Sequence, residues 1–160
     1  MFILYYVRTF LTRFPTHNYD CLVKIDAGGY DGNFGDASYG DNKIVACAKS
    51  EDMQTLFSNT TEVGISYVAN DPIANGCPNS FPAKLLAFLH ARFTHFQGSG
   101  SSGMVIVPTE LIINNGDKLK EIVLKLAADH GLSADFVAWL HNANHFCNSL
   151  VDRIVPGSPD

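Results

Sequence analysis

The order of hydrophobic and polar positions predicts three helices in the second part of the chain. Apolar residues recur at helical spacing from Lys84 to Phe96, and Pro82 suits the first turn of a helix. A second apolar stripe begins after the turn residues Asn115-Gly116 and ends near Gly131. A shorter helix follows Ser133, a residue type that caps helix N-termini. The stripes are Leu85, Leu86, Leu89, Phe93 and Phe96, then Leu119, Ile122, Val123 and Leu126, then Phe136, Val137 and Leu140.

Three apolar runs between these helices predict strands. Gln54 to Phe57 ends in a polar cluster, Met104 to Val107 is a continuous apolar run of the kind buried on both faces of a parallel sheet, and Phe146 to Ile154 follows the third helix. Alternating strands and helices imply right-handed crossovers. The predicted fold is therefore α/β, a parallel sheet with flanking helices, whose ligands bind beyond the carboxyl ends of the strands.

The first fifty residues follow a different pattern. An apolar run from Phe2 to Phe14 leads into GGYDGNFGDASYGD, Gly28 to Asp41, where the frequent glycines predict a flexible loop. We therefore divide the chain into an atypical segment, residues 1–51, and a regular domain, residues 52–160. The break in composition suggests that residues 1 to about 50 derive from a truncated or frame-shifted gene.

Composition narrows the class of protein. With 160 residues, 46% apolar and 17% charged, the chain resembles one globular domain. A net charge of −5 with scattered basic residues argues against a nucleic-acid partner, and the apolar start Met1 to Val7 is too short to span a membrane. We expect a cytoplasmic protein with free thiols at Cys21, Cys47, Cys77 and Cys147, of undetermined oligomeric state.

Polar clusters follow the first two predicted strands. The cluster Ser58 to Ser66 offers hydroxyls, an amide and one carboxylate just past an apolar strand, and its hydroxyls and backbone amides suit the ribose or nicotinamide carboxamide of a cofactor. A plain capping turn is the alternative. After the second strand, Glu110 is a candidate to bind a sugar hydroxyl or assist proton transfer. The alternative is that Glu110 and Asn115 cap the turn into the helix.

The last predicted strand carries a third cluster, FCNSLVDRIVP. Strand alternation sends Asn148 and Asp152 to one face and Ser149 and Arg153 to the other. Asp152 is a candidate to orient a substrate hydroxyl. A structural ion pair that holds Asp152 or Arg153 is the alternative.

Two histidines and a cysteine near this strand are candidates for metal binding or nucleophilic catalysis. His141 and His145 would share a helix face, but position 142 is Asn and a third ligand is not evident, so we predict no metal site. Cys147 lies two residues from His145. A Cys–His nucleophile also needs an oxyanion site, and a structural cysteine is the favoured interpretation.

Four segments, read together, resemble the mannitol dehydrogenase family of polyol-specific long-chain dehydrogenases, and in particular its tagaturonate reductase (altronate oxidoreductase) branch. They are FSNTTEVGISY, SFPAKLLAFLHARFTHF, VIVPTELIINNGDKLKEIVLKLA and NHFCNSLVDRIVPG, and they span Met53 to Gly157. The resemblance implies a Rossmann-like domain and metal-independent hydride transfer between NAD and a sugar acid, interconverting tagaturonate and altronate. A mannitol or fructuronate reductase and a non-catalytic nucleotide-binding module remain alternatives.

The resemblance assigns candidate site residues. The cofactor-binding positions are Asn59, Thr60 and Glu62; the substrate-binding positions are Glu110, Asn148, Asp152 and Arg153; and Asn115 matches the amide of the family's strand-end motif. At Leu111 the chain departs from mannitol dehydrogenases, which have an Asn there, so the sugar-acid branch is favoured.

Two modules of the family have no counterpart in this sequence. The Gly-rich GxGNFxR turn is not matched before Met53 in its proper setting, and the catalytic Lys lies in a helical domain beyond this chain. We therefore expect the second half of a dinucleotide-binding domain, inactive alone, with an unpaired sheet edge beside its first strand. The choice between NAD and NADP stays open, because the acidic residue that reports it belongs to the unmatched half.

Overall fold

A computed structural model describes residues 2–4, 23–25, 48–60, 63–73 and 78–150, with the first two ranges described as backbone only. Their regular elements are five strands, three α-helices and one 3-10 turn. In chain order these are β1 (Phe2–Leu4), β2 (Val23–Ile25), β3 (Thr55–Ser58), α1 (Phe81–His95), the 3-10 turn (Gly100–Ser102), β4 (Val105–Pro108), α2 (Asn115–Asp129), α3 (Ala134–Ala143) and β5 (His145–Phe146).

The described strands form one sheet in the order β2-β1-β3-β4-β5. β3 and β4 pair in parallel from Thr55 opposite Val105 to Ser58 opposite Pro108. β4 and β5 also pair in parallel, with Ile106 opposite Phe146. The predicted parallel sheet with flanking helices is therefore confirmed for β3, β4 and β5.

The edge of β3 that faces away from β4 is paired. β1 lies antiparallel beside it, with Phe2 opposite Ser58 and Ile3 opposite Phe57, and β2 pairs antiparallel with β1. The expectation of an unpaired edge beside the first strand was wrong, because a segment from the start of the chain pairs with its backbone groups. An antiparallel neighbour needs no helical crossover, so the short strands β1 and β2 are enough to cover this edge of β3.

Helix α1 begins three residues before the predicted Lys84. Ser80 caps it by accepting a hydrogen bond from the backbone N–H of Ala83 at 3.4 Å, and Pro82 lies in the first turn. The helix ends where Gln97 and Gly98 take positive φ angles of 53° and 73°. Of the predicted stripe, Leu85, Leu86 and Leu89 lie in the core and Phe93 packs against it. Phe96 follows the last helical residue and is only partly buried.

Helix α2 also begins earlier than the sequence indicated. Asn115 and Gly116 were predicted to form a turn but are the first helical residues, and the chain turns instead at Asn114, which is left-handed with φ of 53°. All four stripe residues of this helix are buried. Helix α3 is capped by Ser133, which accepts from the backbone N–H of Phe136 at 3.2 Å, as predicted.

Strand β5 is shorter than the predicted run from Phe146 to Ile154. It comprises only His145 and Phe146, residues 147–150 have no regular structure, and residues 151–154 lie outside the described range. The backbone N–H of Cys147 still donates to the carbonyl of Ile106 at 2.8 Å. Beyond it, Asn148 bonds with the backbone N–H and the carboxylate of Asp117, and the Ser149 backbone N–H donates to the Asn115 side chain, so residues of α2 take the place of a continued strand ladder.

A buried arginine joins the segment before β3 to α1. Arg92 is 2% exposed, and its Nη1 donates to the carbonyls of Ala48 at 3.1 Å and Ser50 at 2.8 Å. Its Nε donates to the carbonyl of Ser102 at 2.6 Å. Burial lowers the pKa of this guanidinium below its ordinary value. In the part of the chain that the structure describes, no helix is both long and apolar enough to cross a membrane.

Candidate cofactor site at the carboxyl edge of the sheet

The carboxyl ends of β3 and β4 are held together beyond the last ladder pair. The backbone N–H of Thr109 donates to the carbonyl of Ser58 at 2.8 Å, and the Thr109 hydroxyl donates to the same oxygen at 2.6 Å. Polar clusters predicted from the sequence, one after each strand, therefore meet at one edge. In parallel sheets this edge is where ligands bind.

Glu110 is the centre of this contact. Its side chain is 3% exposed, and its Oε2 accepts a hydrogen bond from the Ser58 hydroxyl at 3.0 Å. Its Oε1 accepts from both the backbone N–H and the hydroxyl of Thr60, at 3.0 and 2.9 Å. The carboxylate is thus engaged inside the protein, and this geometry favours a supporting role over the predicted direct contact with a sugar.

Asn59 and Thr60 are presented at the surface of the same turn. The Asn59 side chain is exposed and lies between two residues that Glu110 binds, and Thr60 is partly exposed. Because the Thr60 hydroxyl gives its hydrogen to Glu110, its oxygen lone pairs can accept from a ligand. The turn therefore presents an exposed amide and a hydroxyl acceptor, and the cofactor contact at Asn59 and Thr60 stays a prediction.

Asn115 connects the ends of β4 and β5, although it is fully buried at the start of α2. Its Nδ2 lies within hydrogen-bonding distance of the carbonyls of Pro108 at 3.0 Å, Glu110 at 3.0 Å and Ser149 at 3.1 Å. Its Oδ1 accepts from the backbone N–H groups of Gly116 and Ser149, both at 2.9 Å. Capping was one of the alternatives that the sequence left open for Asn115. The structure places Asn114 at the N-cap of α2 and uses Asn115 to bridge two strand ends.

Gly116 allows α2 to approach the chain after β5. A Cβ atom at this position would lie 2.6 Å from the carbonyl carbon and oxygen of Cys147 and 2.9 Å from the backbone nitrogen of Asn148. Such distances are shorter than any van der Waals contact, so only glycine fits here without a backbone shift.

Asn148, a predicted substrate-binding residue, is exposed and pairs with the first turn of α2. Its Oδ1 accepts from the backbone N–H of Asp117 at 3.0 Å, and its Nδ2 donates to the Asp117 carboxylate at 2.8 Å. The other predicted residues, Glu62, Asp152 and Arg153, lie outside the described residues, and their roles stay predictions.

Sequence reasoning missed the contributions of two serines. Ser58 was considered only as part of a cluster, yet it is buried and bonds to Glu110. Ser149 was assigned to the opposite face from Asn148, but its hydroxyl donates to the carbonyl of Pro108 and lies within hydrogen-bonding distance of Asn115. Their positions directly beyond apolar strands were the signal available in the sequence.

The predicted geometry of His141 and His145 was wrong. His141 lies on α3 and His145 on β5, so they do not share a helix face, because Ala143 is the last residue of the helix. Among the described residues, no group of three or more His, Cys, Asp or Glu side chains could hold a metal ion. Cys147 is a free, partly buried thiol.

Three parallel strands with packed helices, and polar side chains beyond their carboxyl ends, define a partial nucleotide-binding domain of the Rossmann type. Residues 35–159 match the family model for the mannitol dehydrogenase Rossmann domain. The chain therefore belongs to the mannitol dehydrogenase family. The match begins before Met53, the position where the resemblance seen in the sequence starts.

Altronate oxidoreductases are among the similar proteins. Those of Enterobacter sp. (strain 638) and Pectobacterium atrosepticum are each 49% identical to this chain over 118 residues, which is 74% of the chain and 24% of the relative. The chain thus spans about a quarter of the length of these curated relatives. The ternary complex of Pseudomonas fluorescens mannitol 2-dehydrogenase with NAD and D-mannitol matches with a TM-score of 0.52 and 21% identity. That match covers 71% of this chain and 24% of the other, and it supports the fold.

Proposed function

We propose that this chain is part of an NAD-dependent oxidoreductase that interconverts tagaturonate and altronate by hydride transfer. The observation that carries the proposal is the turn after β3, where Asn59 and Thr60 are presented at the carboxyl edge of parallel strands. The 49% identity to proteins named altronate oxidoreductase supports a sugar-acid substrate. The reaction is proposed for a full-length protein of the kind these relatives represent, of which this chain corresponds to about a quarter.

The residues of this turn suit the nicotinamide end of the cofactor. The exposed amide of Asn59 can pair with a carboxamide, and the free lone pairs of Thr60 can accept from a ribose hydroxyl or the carboxamide nitrogen. Glu62 follows two residues later as a third proposed contact. Bound NAD would supply the hydride acceptor. The protein residues bind and orient it.

The proposed substrate-binding residues lie after β5. Asn148 is exposed and contacts the first turn of α2, and Asp152 and Arg153 follow it in the sequence by four and five residues. An arginine can bind the carboxylate of a sugar acid through two parallel hydrogen bonds, and an aspartate can accept from its hydroxyls. Glu110 is the fourth predicted substrate-binding residue, but its buried carboxylate accepts hydrogen bonds from Ser58 and Thr60 in the turn after β3.

Titration with NADH tests the cofactor assignment. Nicotinamide fluorescence is followed as purified chain is added, after circular dichroism has shown that the chain is folded, with and without tagaturonate. Saturable binding that weakens in Thr60→Val supports the proposal. Absence of binding by the folded chain would contradict it. Thr94→Val is a matched control, because the bond that the structure shows for this exposed hydroxyl stays within α1, to the carbonyl of His90.

A chimera tests the substrate class. The segment from Met53 to Gly157 replaces its counterpart in the Enterobacter altronate oxidoreductase, and the chimera is assayed with altronate and with D-mannitol. We expect NAD-dependent oxidation of altronate. A preference for D-mannitol would contradict the sugar-acid assignment.

A further inference from the structure

We infer that Glu110 is a positioning residue for the cofactor: from the end of β4, its buried carboxylate fixes the conformation of the Ser58–Thr60 turn after β3. The inference rests on the proposed function, since it assigns the turn to NAD. It differs from the role predicted by the sequence, in which Glu110 contacts the sugar.

The first argument is the number and kind of donors that Glu110 binds. An ionised carboxylate only accepts hydrogen bonds, and a buried one needs several donors to offset the loss of water. Among the described residues, the donors that Glu110 binds come from one short turn, namely the Ser58 hydroxyl, the Thr60 hydroxyl and the Thr60 backbone N–H. The carboxylate is therefore matched to this turn, 50 to 52 residues earlier in the chain.

The second argument is what these bonds leave free. Glu110 fixes the residues on either side of Asn59, so the backbone that carries this exposed amide is held at two points. It also fixes the direction of the Thr60 hydroxyl hydrogen, which turns the oxygen lone pairs outward as acceptors. A site held in advance loses less conformational entropy when its ligand binds.

The third argument is that, among the described residues of this edge, no other side chain bonds to both Ser58 and Thr60. Thr109 holds the Ser58 carbonyl from the same side of the sheet, but it does not reach Thr60. Asn115 fixes the backbone of Glu110 itself through the Glu110 carbonyl at 3.0 Å. Glu110 is thus held at its backbone by α2 and holds the turn after β3 with its side chain.

The test compares Glu110→Ala with Asn144→Ala in the full chain. Asn144 is also buried, at 2% exposure, and it accepts from the Met104 N–H and donates to the Trp139 and Leu140 carbonyls. Asn144 therefore matches Glu110 in burial and in its number of side-chain hydrogen bonds. It contacts the residue before β4, at the amino end of that strand, and so lies away from the proposed site. Glu110→Gln is the conservative variant, because its amide oxygen can still accept from Thr60 while its NH₂ donates to Ser58.

The NADH dissociation constant and the hydrogen-exchange rate of the Thr60 amide are measured in each variant. We expect Glu110→Ala to weaken NADH binding by about tenfold or more and to speed Thr60 exchange, whereas Asn144→Ala leaves both close to wild type. Glu110→Gln should recover most of the affinity. These results would support the inference. If Glu110→Ala does not fold, Ser58→Ala, which removes one donor to the carboxylate, should weaken NADH binding and speed Thr60 exchange, and unchanged values would contradict the inference.

Two results would overturn the inference, and they differ in what they mean for the proposed function. If the wild type binds NADH and Glu110→Ala binds it as well as Asn144→Ala does, only the positioning role fails. If the folded wild type does not bind NADH, the cofactor assignment fails and the inference fails with it. Thr60 exchange would then report only whether Glu110 orders the turn.

Discussion

Asn115 and Ser149 lie in close polar contact across 34 residues of sequence: the Ser149 backbone N–H donates to the Asn115 side-chain oxygen at 2.9 Å, and the Asn115 Nδ2 lies 3.1 Å from the Ser149 carbonyl oxygen and 3.2 Å from its hydroxyl oxygen. This pair fixes the chain after β5 against the start of α2. It places Asn148 at the edge of the sheet, beside the end of β4.

Replacing Asn115 by Ala should destabilise the protein by about 1–3 kcal/mol, because it leaves buried carbonyls and N–H groups without partners. Urea unfolding followed by circular dichroism measures the free energy of unfolding. Asn142→Ala is the control, since Asn142 is exposed on α3 and surface substitutions usually change stability by less than about 0.5 kcal/mol. Equal stability of the two variants would show that the Asn115 network contributes little.

Replacing Gly116 by Ala should cost about 1–3 kcal/mol, since the new Cβ would overlap the backbone of Cys147. Helix propensity alone predicts the opposite, a gain of roughly 1 kcal/mol. Gly100→Ala is the matched control, because nothing lies within 4 Å of a Cβ placed there. Thermal unfolding of both variants separates the two effects; a Gly116→Ala protein as stable as wild type would mean that the backbone adjusts freely.

Asp71 should make stability depend on pH in the acid range. Burial raises the pKa of its carboxyl, but hydrogen bonds from Asn79 and Ser80 together outweigh burial and lower the pKa below 3.8. Its contribution is therefore complete above the unfolded pKa and is lost as the pH falls through the folded value. We expect Asp71→Asn to lose stability at pH 7 and to show a smaller further loss on acidification than wild type. Unfolding curves between pH 7 and about pH 3 measure both quantities, and parallel pH profiles would refute the assignment.

Arg92→Lys should destabilise the protein by about 1–3 kcal/mol despite keeping the charge, because one ammonium cannot reproduce the geometry of three hydrogen bonds to carbonyls of Ala48, Ser50 and Ser102. Proteolysis and urea unfolding measure the loss. We expect the segment before β3 to become the first site of cleavage, since Arg92 holds it to α1. Lys84→Arg is the control, because it exchanges the same two cationic side chains in the opposite direction at a partly buried position of the same helix. Unchanged cleavage in Arg92→Lys would contradict this role of the guanidinium.

Local patterns in the sequence predicted the three helices and the strands β3 and β4 to within a few residues, whereas the predicted last strand was much longer than β5. The apolar stripes of α1 and α2 and the cap at Ser133 depend on residues within a few positions of each other, and such interactions are readable from one chain. The helix starts were less accurate. Asn114 adopts a left-handed conformation that places the turn one residue before Asn115, and the sequence Asn-Asn-Gly allows either position.

The sequence by itself determined the three helices, the three parallel strands, and the resemblance that identified Asn59 and Thr60 as candidates for cofactor binding. Only the tertiary structure decided which groups meet beyond the strand ends: β1 beside β3, Glu110 on the turn after β3, and Asn115 on Ser149. The physical reason is that periodicity and capping are local, whereas these contacts join groups 34 to more than 50 residues apart. Their partners are selected by packing and by the need to satisfy buried polar groups, which no short pattern in the sequence records.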